Sequence, residues 1–306
     1  MELATRRYEF DWLRVFATLS VFIFHCLRIF DPGMFFIKSS QPSLMATVVT
    51  SFLLQWMMPL FFVISGASIY FALCVRTTNQ FLQERSKRLL IPFIFGVFIL
   101  SPPQVYLERI SNPNHGIGLW REGTVFSGSF LEFLPTYFQG WYLFGGNFAW
   151  MGLHLWYLLV LFLLSLLCLP LFLKLKQESG KQLIIKLAGF LERPGAIFLL
   201  SLPLVPLEAG LHPMGLGSRL AGGWNCFIYL IFLLYGYFLV AEPRIEQAVK
   251  QQWIIALAIA FITTPFVLSE ISPILFSRST YGSSSYVVLM AIRVYELPHR
   301  KDGWGF

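Results

Sequence analysis

Charge is what this sequence has least of. Only 13% of its 306 residues are Asp, Glu, Lys or Arg, against about 25% in soluble domains, so a soluble class is a poor fit. The four cysteines (Cys26, Cys74, Cys168, Cys226) show no paired spacing. That argues against a disulfide framework and a cysteine metal site. The histidines are scattered without short ligand spacing, so no metal and no bound cofactor are expected. No Gly-x-Ser-x-Gly elbow and no phosphate loop occurs. Low-complexity tails are absent, and so is the internal repeat that many secondary transporters carry.

What is present is apolar. Hydrophobic residues make up 56% of the chain and aromatics 17%, with 32 Phe; mean hydropathy is +0.65. About 20 apolar residues cross a bilayer. That ruler predicts an all-α transmembrane bundle with helices near 11–30, 45–75, 89–107, 152–173, 195–209, 223–241 and 253–269. A weak eighth candidate lies at 286–295, giving seven to eight in all. The first helix reads as retained, since its run is long, holds Asp11, Arg14 and His25, and lacks a small-residue cleavage site.

The net charge of +7 follows from topology rather than from nucleic-acid binding, and no nucleic-acid partner is expected. With the N-terminus cytoplasmic, thirteen Lys and Arg fall on the inner segments. Only Lys38, Arg109, Arg121 and Arg219 fall on outer loops. The positive-inside rule therefore predicts a cytoplasmic N-terminus, with 31–44, 108–151 and 210–222 facing outward. Within 108–151, "FLPTYFQGWYLFGG" reads as an interfacial or re-entrant segment.

Helix one carries an ionisable stripe. Arg14 and His25 are eleven residues apart, roughly 1100° of rotation, so they share a face about 16 Å apart along the axis. Asp11 lies within pairing reach of Arg14, and Thr18 and Arg28 fall near the same line. Such a line belongs against a bundle interior or a cavity rather than lipid. A neutral His25 suits proton abstraction, or a hydrogen bond to another helix. Arg14 suits a phosphate or carboxylate, or simply holds Asp11 at the helix mouth. Pro59 kinks the second helix and frees the Gln55 carbonyl; Ser65 and Gly66 permit close approach of a substrate arm or of another helix. Arg85, Lys87 and Arg88 mark an inner helix mouth, fit for phosphates or for anionic lipid. His154 and Trp156 open the fourth helix on the outer side: His154 suits an acceptor contact or a pairing with His25, Trp156 suits stacking on a sugar, and both also suit belt anchors. Glu108, Glu122, Glu132 and Glu208 are outer acids of no evident rank.

These residues also form a motif set. "RRYEFDWLRVFATLSVFIFH" (6–25) resembles the opening of the acyltransferase family 3 membrane enzymes, with arginine, ten residues, then histidine. "WMMPLFFVISGASIYF" (56–71), "FLQERSKRLLIPF" (81–93), "HLWYLLVLFL" (154–163) and "FIYLIFLLYGYFL" (227–239) are similar to four later motifs, in order. The versions here resemble most the periplasmic-glucan succinyltransferase branch. The resemblance implies a single membrane domain over 1–306, with motifs over about 6–240. It implies transfer of acetyl or succinyl from cytoplasmic acyl-CoA to a hydroxyl of an extracytoplasmic carbohydrate, in the inner (plasma) membrane. It makes His25 the essential residue, Arg14, Arg85 and Arg88 donor-binding candidates, and His154 and Trp156 acceptor-side candidates. The family typically has about ten helices. With seven here, and with "ELPHRKDGWGF" (296–306) unlike a membrane helix, the 270–306 end is expected to be atypical or truncated. A permease using the same polar stripe, or an inactive fragment, are the rival readings.

Overall fold

A computed structural model describes residues 8–31, 35–111, 125–211 and 226–276. Arg6, Arg7, Arg121, Glu122, Arg219, the 286–295 candidate and the "ELPHRKDGWGF" end lie outside the described residues, as does the Glu208 side chain. Among the described residues the chain is helical and forms no strand, only one isolated bridge between Trp141 and Phe148.

Helix α1 (Tyr8–Leu27) begins with Glu9 and Asp11 in its first turn and ends with His25 in its last. That order of charge matches the helix dipole. Helix α2 (Leu44–Val75) is capped by the Ser43 hydroxyl, which accepts from the Ala46 N–H, and runs through Pro59 without a break. Helix α3 spans Thr78–Ile110. Its start is fixed by a reciprocal capping box between Thr77 and Gln80. Two widened turns interrupt α3. One closes with Ile91 N–H on the Ser86 carbonyl, the other with Ser101 N–H on that of Gly96. Pro92 follows the first and Pro102-Pro103 the second. Proline has no N–H to give, and the wider turn is how the helix absorbs each loss.

Helix α3 corrects two sequence boundaries. Residues 78–88, read as an inner loop, are the first turns of α3, so Arg85 and Arg88 sit on a helix. Glu108 and Arg109, read as loop residues, are still helical and are buried.

Among the described residues, four helices are long and apolar enough to cross a membrane: Tyr8–Leu27, Leu44–Val75, Thr78–Ile110 and Pro243–Thr264. A bent pair, Leu153–Leu167 with Leu169–Leu175 at 51°, makes up to five. Ala196–Leu207 and Cys226–Ala241 are apolar but shorter. Of the seven to eight helices expected, four or five thus meet the length and composition needed. Helix α1 is the barest, with 11% of its apolar window buried; Trp12, Phe16 and Phe22 stand exposed along it.

Two compact units divide the chain, one of Thr18–Ser51 and Phe71–Leu171, the other of Met1–Ala17, Phe52–Tyr70 and Phe172–Phe306. In the first, the segment after α3 folds into a cap. A Ser129–Glu132 capping box starts a helical turn at Phe130–Phe133. Gly140, at φ 65, then reverses the chain, and a Cβ on Gly146 would overlap the Gly140 carbonyl carbon at 2.0 Å. Phe36, Val105, Phe133, Tyr137, Tyr142, Ala149 and Leu153 form its core. Arg109 bolts α3 to the cap, with Nε on the Asn147 amide oxygen (2.7 Å) and Nη2 on the Gly146 carbonyl (2.8 Å). The Tyr142 hydroxyl donates to Glu108. The expected interfacial segment is therefore a folded element with its own aromatic core.

In the second unit, α2 crosses the helix Cys226–Ala241 at two glycines. A Cβ on Gly66 would lie 1.9 Å from the Leu233 carbonyl oxygen, and one on Gly236 equally close to that of Val63. Small residues let helix backbones approach in this way. Of the two sequence readings for Gly66, helix contact is the one seen. Phe62 stacks on Tyr229 at 4.4 Å and Phe172 on Tyr237 at 4.7 Å beside it.

Candidate active site

His25 is held by its own helix. Its Nδ1 lies 2.8 Å from the Val21 carbonyl oxygen. A carbonyl only accepts, so Nδ1 carries the proton and Nε2 keeps the lone pair. The ring meets Phe24 (5.3 Å), Phe35 (6.2 Å) and His154 (6.4 Å, edge to face).

His154 reaches this place by an unusual turn. Gly152 has φ 75, and Leu153 follows at φ 51, a region that side chains rarely enter. A Cβ at Gly152 would meet the Phe93 ring at 2.6 Å. His154 is exposed, and its Nδ1 lies 2.8 Å from Gln104 Oε1 on α3. Again Nδ1 donates and Nε2 keeps its lone pair. The structure thus brings together two of the candidate residues, His25 and His154, each in the tautomer that a base requires.

Beyond His25 stands a buried ion cluster. Arg28 donates to Asp31 at 2.5 Å, and Lys38 Nζ donates to the other Asp31 oxygen at 2.7 Å. Both cations also lie over the Phe35 ring, at 5.4 and 5.9 Å. Burial pulls the Lys38 ammonium below its ordinary pKa, and its hydrogen bond to Asp31 pulls it back up.

The remaining candidates lie apart. Arg14 is about 16 Å back along α1 from His25. It pairs with Asp11 at 3.1 Å and donates to the Ser68 hydroxyl of α2. Ser68 in turn donates to the Ile64 carbonyl at 2.7 Å. Arg85 lies over the Phe81 ring at 5.1 Å, and Arg88 lies 3.9 Å from Glu84, which also takes a 2.6 Å bond from Arg76. Arg88 is sixteen residues before Gln104, about 24 Å along α3. Trp156 opens the helix that follows the short turn carrying His154, with its ring 6.4 Å from that of Tyr157.

Gln104 and Phe35 were missed from sequence. A lone amide in the apolar run of α3 is a signal in itself, because polar groups at membrane depth need partners. Its partner, fifty residues away, has no local signature.

The family profile described as an acyltransferase domain matches residues 7–292. Among curated relatives, glucans biosynthesis protein C of Escherichia coli strain SMS-3-5 / SECEC is 27% identical over 176 residues, covering 57% of this chain and 41% of the relative. The proteins of that name from E. coli O1:K1 / APEC and O157:H7 (strain EC4115 / EHEC) are 26% identical over the same share of each chain. The chain thus spans about two fifths of the length of the curated relatives it matches. No solved structure matches. The five motifs fall in order within a profile match that runs nearly end to end, and the chain belongs to acyltransferase family 3.

Proposed function

We propose that this protein is a membrane acyltransferase that moves an acetyl or succinyl group from cytoplasmic acyl-CoA to a hydroxyl of an extracytoplasmic carbohydrate, in the inner (plasma) membrane. Family membership supports the reaction class. The charge asymmetry supports a cytoplasmic N-terminus, with Arg14 on the donor side and His25 toward the outer half. The single observation that carries the catalytic role is the Nδ1 bond of His25 to Val21, which leaves Nε2 as a fixed acceptor of protons.

His25 Nε2 takes the proton of the acceptor hydroxyl while its oxygen attacks the thioester carbonyl. A C–O bond forms and the C–S bond breaks. The CoA thiolate leaves with the proton that the His25 imidazolium returns. Arg85 and Arg88 bind phosphates of CoA, since guanidinium groups pair bidentately with phosphate oxygens, and Arg14 is a separate donor-binding candidate.

Inside-out vesicles given labelled acetyl-CoA or succinyl-CoA test this reading, with label followed into surface glycan. Wild type transfers label and His25→Ala at matched expression does not. Equal labelling in both removes His25 from the chemistry. Solute transport without labelling would make the protein a permease.

A further inference from the structure

Gln104 brings an amide oxygen from α3 to within hydrogen-bond distance of His154. Three observations set it apart from ordinary packing. Gln104 presents its amide oxygen to His154 Nδ1 at 2.8 Å, the arrangement that favours the proton on Nδ1. The turn that delivers the ring holds Leu153 at φ 51, a conformation that persists only where the surroundings enforce it. The ring so placed is exposed rather than buried, and it faces His25 at 6.4 Å.

We propose that Gln104 is a positioning residue, and that the two imidazoles it helps align take an acceptor with neighbouring hydroxyls, a vicinal diol such as a sugar presents. His154 Nε2 accepts a hydrogen bond from one hydroxyl, and His25 Nε2 removes the proton of the next. Each lone pair accepts at about 2.8 Å, and rings 6.4 Å apart put two acceptors within reach of one small polyol. Without Gln104, His154 is free to move its proton to Nε2. It then donates where the acceptor needs an acceptor atom, and the second hydroxyl loses its partner. This inference rests on the transferase reading above and adds the acceptor's chemistry to it.

The test compares wild type with Gln104→Met, which keeps the chain length and removes the acceptor oxygen. Gluco-oligosaccharides and their monodeoxy analogues serve as acceptors, with succinyl-CoA or acetyl-CoA as donor. Loss of one hydrogen bond to the acceptor predicts an acceptor KM about tenfold higher in Gln104→Met. The donor KM and the hydrolysis of acyl-CoA by water should be unchanged. Deoxy acceptors should lose about tenfold with wild type and little more with the variant. Nitrogen NMR of labelled histidine in nanodiscs, assigned with His154→Asn, should show the Nδ1–H form in wild type and its loss in Gln104→Met. An active Gln104→Met with wild-type acceptor KM overturns the inference alone, as does a variant in which every constant falls together with thermal stability. A wild-type protein with no His25-dependent transfer overturns the transferase reading and this inference with it.

Discussion

The His25 and His154 rings stand edge to face, 6.4 Å apart, each with Nδ1 committed to a fixed oxygen. The two are not equivalent in the chemistry proposed. His25→Gln, which removes the base, should lower transfer by about 10²–10⁴-fold, the usual range for general-base catalysis. His154→Phe keeps a ring in place and should cost only about tenfold, in acceptor KM. Steady-state rates on purified protein in nanodiscs separate the two.

Arg14 has protein partners as well as a proposed donor role. Ser68→Ala removes its contact on α2 and should cost about 0.5–1.5 kcal/mol of stability, read as a lower melting temperature, with little change in donor KM. Arg14→Lys should raise the donor KM, because a point charge does not replace a planar fork. An Arg14→Lys variant that melts early but binds acyl-CoA as wild type does would reduce Arg14 to a clip between α1 and α2.

The glycines at the α2 crossing should be intolerant. Gly66→Ala or Gly236→Ala drives a methyl into a backbone carbonyl of the facing helix. Separating the helices should cost about 1–3 kcal/mol. Gly189, on the helix Glu178–Leu191, has nothing within 4 Å of its would-be Cβ. Gly189→Ala should stabilise by about 0.4–1 kcal/mol. Scanning fluorimetry in detergent should show the shifts with opposite signs.

Asp31 holds Arg28 and Lys38 together while itself buried. Asp31→Asn leaves the two cations without the carboxylate they share. Breaking a buried pair from one side costs about 3–5 kcal/mol. The same melting assay checks it, and Lys38→Met in the Asp31→Asn background should recover part of the loss.

The cap carries a pH-dependent start. Backbone and then side-chain hydrogen bonds from Ser129 hold the Glu132 carboxyl below its ordinary pKa of 4.5. A carboxyl lowered on folding stabilises the folded state above that ordinary value. The contribution is lost as pH falls through the lower, folded value. Protection factors for hydrogen exchange over residues 129–133, with the intrinsic pH dependence divided out, should therefore fall below pH 4.5 in wild type. In Glu132→Ala, which removes the capping carboxylate, protection should already be low at neutral pH and change little with acid.

Much of this protein is decided by local sequence. Long apolar runs set the helices, because backbone groups in lipid must be satisfied within the segment. The 3.6-residue period alone aligned Arg14 with His25. The motif order carried the family. The helix ends were harder. Thr77 and Gln80 start α3 well before its apolar run, and Arg109 ends it buried, since capping and cap contacts outweigh the local hydropathy.

Which distant residues meet was decided only by tertiary structure. The meeting of Gln104, His154 and His25 depends on how α3, the cap and the Gly152–Leu153 turn pack. The aromatic stretch of the cap has no helical or strand period to read, so its fold follows from burying Phe133, Tyr137 and Tyr142 around Val105. The Gly66 and Gly236 crossing likewise needs both helices at once. A periodic pattern is a property of one segment, while a site is a property of the packing between several.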